Sequence, residues 1–115
     1  MAETAELISL LAQLEQSAEI IDTVCSRNFG KQGIAAVRKA AETVMSKVLV
    51  IVFPKIEEEL SKLKLDRGIM KEIQEHVDWL EKEFEKQEDI PSVNTVSSKC
   101  HIIVRLLKKG ENAVA

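Results

Sequence analysis

Residues 33–65 read GIAAVRKAAETVMSKVLVIVFPKIEEELSKLKL, and the reading of this stretch decides the fold. From Ile34 the apolar positions fall at Ile34, Val37, Ala41, Val44, Val48 and Ile51, in alternating steps of three and four. That alternation lays one stripe along a helix. A second stripe runs Met45, Leu49, Val52, Ile56, Leu60 and Leu63, and it crosses Pro54 without losing helical phase. The stretch therefore predicts one long helix kinked at Pro54. Proline has no N–H to give the carbonyl of Val50, and its ring crowds that turn. The competing reading starts a new helix with Pro54 in its first turn. A helical hairpin would need connecting residues, and Phe53-Pro54-Lys55 supplies almost none.

The two stripes make a wide apolar face, and around Val48–Phe53 nearly the whole circumference is apolar. A helix of that kind demands burial on most sides. It is either the central helix of a bundle or a helix that also meets a second copy of the chain. The β-branched content of Val48–Phe53 also admits a buried strand, because periodicity does not separate the two in a short run. Only Ile102–Val104 offers a partner strand, and two strands make a poor sheet.

Working outward, Leu7, Leu11, Leu14, Ala18, Ile21 and Cys25 repeat in steps of four and three, widened by Leu10, Ile20 and Val24. They predict a first helix from Thr4, its N-cap, to Arg27. Asn28-Phe29-Gly30-Lys31-Gln32-Gly33 reads as a turn, since neither a P-loop nor a dinucleotide fingerprint is present. After the long helix, Asp66 reads as an N-cap, with Leu65 and Met70 as its hydrophobic staple. The third helix is expected over Arg67–Gln87, burying Ile69, Met70, Ile73, Val77, Leu80 and Phe84. Asp89-Ile90-Pro91-Ser92 breaks the chain, and Ser92 caps a fourth helix to Lys109 that buries Val93, Val96, Cys100, Ile103, Val104 and Leu107. Gly110 fits the C′ position of that helix. The expected domain is residues 1–110, with 111–115 as a frayed tail.

The predicted helices alternate acidic, basic, acidic and basic. In an up-down bundle every neighbouring pair is then opposite in sign. The expected fold class is all-α: an antiparallel up-down four-helix bundle with a long, Pro-kinked second helix. The 115 residues, 45% apolar and 30% charged, suit one globular domain with a single core. The net charge of −3 gives no general attraction to nucleic acid. The longest apolar run is six residues, too short for a membrane span, and the acidic start does not read as a signal peptide. These features predict a soluble, cytoplasmic chain with no membrane partner.

The chemistry-bearing residues give little. A di-iron bundle needs Glu-x-x-His pairs on two helices, and neither His76 nor His101 completes one. Cys100 and His101 are helix neighbours whose side chains diverge by about 100°, so they do not form a nucleophile–base pair. Cys25 and Cys100 read as buried thiols. No enzymatic activity, metal or cofactor is expected. Arg27, Lys31, Arg38, Lys39 and Lys47 form a candidate nucleic-acid face, without an aromatic platform for base stacking. Trp79 lies beside the buried stripe of its helix, among Glu75, His76 and Glu83, and is a candidate partner contact. The expected function is a non-catalytic protein–protein interaction or assembly module that self-associates, a dimer being favoured, or joins a larger complex. Its self-contact is expected at Met45, Leu49, Val52 and Phe53. The alternative is a small RNA- or DNA-binding subunit of a larger complex using the basic face.

Overall fold

The periodicity of the long stretch is realised as helix from Ile34 to Lys62. The computed structural model describes residues 2–28, 34–85 and 91–114, with side chains at 4–24, 39–85 and 91–110. They form α1 (Ala2–Asn28), α2 (Ile34–Lys47), a π-helical turn (Val48–Val52), α3 (Phe53–Lys62), α4 (Arg67–Glu85) and α5 (Val93–Val114). The protein is all-helical, and no strand occurs among the described residues. Since α2, the π turn and α3 run on without a break, the elements amount to four helices.

The π turn has a local cause. Pro54 cannot donate to the Val50 carbonyl, so the regular four-residue ladder fails at this point. The turn just before it widens instead, and the Phe53 N–H donates to the Val48 carbonyl, five residues back. The backbone stays helical throughout: Lys47 has φ −62° and ψ −41°, and Phe53 has φ −63° and ψ −41°. Pro54 also lies in the first turn of α3, where a missing N–H is tolerated. Each sequence reading of Pro54 thus holds in part. The helix is continuous across the proline, and the proline also opens a regular α-helical segment.

The helices pack side by side into a body of 54 × 22 × 22 Å. α1 packs against α2, the π turn, α3 and α5, while α4 packs against α5, the π turn and α2. Pairs between helices fix their relative positions. On the α1–α5 side, the Cys100 thiol donates to the Leu11 carbonyl at 3.6 Å, and His101 Nε2 lies 3.6 Å from Glu15 Oε1. Glu6 and Leu10 of α1 share a shallow groove with Lys55, Glu58 and Glu59 of α3. Between α3 and α4, Gln74 Nε2 donates to Glu57 Oε1 at 2.8 Å, and the Phe53 and Phe84 rings meet edge to face at 5.9 Å.

One core runs through all four helices. It holds Leu7, Leu11, Leu14, Ala18 and Ile21 from α1, and Met45, Val48, Val52, Phe53, Ile56 and Leu60 from the long helix. Ile73, Val77, Leu80 and Phe84 enter from α4, and Val96, Cys100, Ile103 and Leu107 from α5. The second stripe of the long helix is therefore the inward one. The first stripe leaves the core at its end, with Ile51 exposed. Ile20 was expected to widen the buried face of the first helix and is 52% exposed instead.

Helix ends follow the local chemistry with three corrections. Asp66 caps α4: its Oδ2 accepts from the Gly68 N–H at 2.9 Å, and its carbonyl accepts from the Met70 N–H at 2.9 Å. Ser92 caps α5, its carbonyl accepting from the Val96 N–H at 2.9 Å. Thr4, however, lies inside α1 and is buried, because the helix already begins at Ala2. The long helix stops at Lys62 rather than Leu65, since Leu63 turns to extended φ −79°, ψ 145°. Gly110 is no terminal residue, as α5 runs on to Val114. A Cβ there would lie 2.9 Å from Leu65 Cδ2 and 3.0 Å from Leu65 Cδ1. Gly110 is thus a notch that lets the α3–α4 connection close on α5.

Candidate functional site

The surplus apolar surface of Val48–Phe53 is real but lies on other residues than the four expected. Met45, Val52 and Phe53 are buried in the chain's own core, and Leu49 is half-buried against it. Their side chains are already spent on intramolecular packing. The outward residues of the same run are Val50, 73% exposed, and Ile51, 52% exposed. Two successive large aliphatic side chains in water at the middle of the long helix are the most conspicuous feature of the described surface. Lys47, Pro54 and Lys55 are the exposed residues closest to them along the helix. The exposed apolar surface of this run is therefore carried by Val50 and Ile51.

Trp79 is half-buried at the edge of the core. The Lys99 ammonium of α5 stands 4.9 Å from the centre of its ring, in cation–π range. Lys99 Nζ also lies 3.4 Å from His76 Nδ1. The tryptophan therefore has a partner within its own chain. Sequence reasoning did not pair Lys99 with Trp79, because nothing in the separate α4 and α5 patterns tells which residues of the two helices come level.

The five basic residues of the nucleic-acid reading are only partly in view. Lys39 and Lys47 are exposed on α2. Lys31 and the side chains of Arg27 and Arg38 lie outside the described residues. The side chain of Cys25 lies outside them as well.

Cys100 and His101 point in different directions. Cys100 is buried, and burial, aided by the charge of Glu15, pushes its thiol up to about 12. A thiol held so far above its ordinary value is neutral at physiological pH and is a poor nucleophile. His101 is exposed beside Glu15.

The α3–α4 flank is acidic. Gln74 Nε2 bridges two carboxylates, Glu57 Oε1 and Asp78 Oδ1 at 2.9 Å, so a neutral amide sits between like charges. Glu81 is held above the ordinary carboxylate range, first by burial and then by the charges of Glu85, Glu57 and Asp78. Glu59 and Glu58 pair with Lys62 at 3.2 and 3.8 Å. Glu19 and Asp22 of α1 share a cleft with Ser92, Val93 and Asn94 at the start of α5, where negative charge suits the positive end of the helix dipole.

Among the described residues, no group of three or more His, Cys, Asp or Glu is placed to hold a metal ion. No helix among them is long and apolar enough to cross a membrane. Comparison with known protein families, with curated proteins and with solved structures finds no match to this chain.

Proposed function

We propose that this chain is a non-catalytic assembly module that self-associates, a dimer first, through Val50 and Ile51. The fold we infer for it is an antiparallel, up-down four-helix bundle whose second helix bends where the π turn meets Pro54. The cross-helix pairs support that topology. Leu11 meets Cys100 while Glu19 and Asp22 lie by Ser92, so α1 and α5 run in opposite senses. The Glu57–Gln74 and Phe53–Phe84 pairs give the same relation for α3 and α4. A π turn beside a proline is a known cause of a helix bend.

The observation that carries the functional reading is the exposure of Val50 and Ile51 within a run whose other members pack inward. Isolated surface aliphatics are ordinary. Two in succession on a widened turn, at mid-helix, form an apolar knob that a partner surface can dehydrate. The knob alone falls well short of the roughly 800 Å² per partner of a stable complex, so the association is weak and concentration-dependent.

Sedimentation across a wide concentration range tests this. The weight-average mass of the wild type should rise above the 12.9 kDa of one chain, while a Val50→Glu/Ile51→Glu chain of unchanged helix content should stay at monomer mass. A wild type that remains monomeric at every concentration overturns the reading, as does an equal rise in the double variant. Leu49→Glu is the less informative choice, because Leu49 packs on the core and its loss disturbs the fold itself.

A further inference from the structure

We propose that His76, Lys99 and Trp79 form a pH-sensitive clasp across the α4–α5 seam. In this clasp the Lys99 ammonium stays on the indole ring while His76 is neutral and leaves it when His76 takes a proton. The argument rests on donor and acceptor chemistry. An ammonium group has three N–H donors and no acceptor. Its contact with His76 Nδ1 at 3.4 Å therefore requires the lone pair of Nδ1, which places the imidazole proton on Nε2. The same ammonium lies 4.9 Å from the centre of the Trp79 ring. One cation thus joins two α4 side chains spaced one turn apart, at positions 76 and 79, to α5. All three residues are half-buried, so their interactions are only partly screened by water.

Protonation removes the acceptor and adds a second positive charge at the same distance. Two donors facing each other at 3.4 Å cannot bond, and like charges at that separation repel. Histidine is the side chain that makes this change between pH 8 and pH 5. The other charged groups around it are few. α4 itself carries Glu72 one turn before His76, Glu75 beside it and Glu83 one turn beyond Trp79. α5 presents Lys99. The π turn has no charged residue, and Lys39, Glu42 and Lys47 of α2 are all exposed. Glu57 of α3 is bonded to Gln74, on the opposite flank of α4 from His76. Among the described residues Lys99 is the cation that touches His76, and a protonated His76 displaces it toward solvent and the α4 carboxylates. Acid thereby uncovers the ring face of Trp79.

The chain has a single tryptophan, so its ring current marks this site alone. Lysine-labelled full-length protein should show the Lys99 ε-methylene signals displaced upfield at pH 8. At pH 5 that displacement should fall by at least half, with helix content by circular dichroism unchanged. His76→Asn supplies a neutral acceptor at both pH values and should keep the full displacement at each, and His76→Gln serves the same end if the Asn variant is unfolded. An upfield displacement that is absent at pH 8 or unchanged at pH 5 overturns the clasp. So does an equal loss on acidification in the folded variant, or a loss of helix at pH 5 in the wild type.

Discussion

Glu81 shows how much a single side chain on the outer surface of this protein reports about its surroundings. Its carboxyl is raised by burial and by the nearby Glu85, Glu57 and Asp78. A carboxyl whose folded-state value lies above its unfolded one binds protons more readily when folded, so ionisation costs stability. The cost is absent below the unfolded-state value. It builds as pH rises through the interval up to the folded-state value and is complete above it. Glu81→Gln should therefore stabilise the fold at pH 7 by a few tenths of a kcal/mol, a figure discounted for solvent screening of a partly exposed group. The gain should vanish at pH 3, where both chains are neutral at this position. Urea unfolding of the two proteins at both pH values measures it, and a gain that persists in acid would assign the effect to packing rather than charge. Cys100 is the contrasting case, a buried thiol whose hydrogen bond goes to the Leu11 carbonyl and whose chemistry is silenced by its burial.

At the scale of the elements, the ends of helices carry testable energy. The Asp66 carboxylate accepts from the Gly68 N–H at 2.9 Å and, more weakly, from the Ile69 N–H at 3.4 Å. These are donors that α4 cannot satisfy internally. Asp66→Ala should lower stability by about 1 kcal/mol, whereas Asp66→Asn, which keeps the accepting oxygen, should cost clearly less. Chemical denaturation of the two variants decides it, and equal losses would mean that the cap oxygen contributes nothing. This cap was legible from the sequence, because an Asp between an apolar residue and an apolar helical stripe has a local meaning. The four helices and most of the core were legible for the same reason: Leu7, Leu14, Ile73, Leu80, Ile103 and Leu107 repeat with the helical period. The π turn was not. Its origin in Pro54 is local, but the outcome is a choice between a bend, a break and a widened turn. That choice depends on Val48, Val52 and Phe53 finding places in the core at the same time. For this reason Val50 and Ile51, rather than Met45 and Phe53, carry the exposed surface. The Trp79–Lys99 pair was hidden for a related reason, since it depends on the register between two helices.

The molecule as a whole has one core shared by four helices, and this has a thermodynamic consequence. No helix keeps its apolar face buried without its neighbours. α1 alone contributes Leu7, Leu10, Leu11, Leu14, Ala18 and Ile21 to the same cluster as Phe53 and Phe84. Local helix propensity adds little, because most helical stability in a protein comes from tertiary packing of an apolar face. Unfolding should then be a single cooperative event rather than a peeling of one helix. Two probes sample different parts of the structure. Far-UV circular dichroism averages over all four helices, whereas Trp79 fluorescence reads only the α4–α5 seam, where the ring lies under Lys99. At pH 8 and at a concentration low enough to suppress association, the two should give superimposable urea transitions with one midpoint. A calorimetric scan of a chain this size should show an unfolding enthalpy of about 80 kcal/mol near 60 °C, equal to the van't Hoff value. A fluorescence transition preceding the loss of helix would mean that α4 and α5 separate while the rest stays folded, and the single shared core would then be the wrong description.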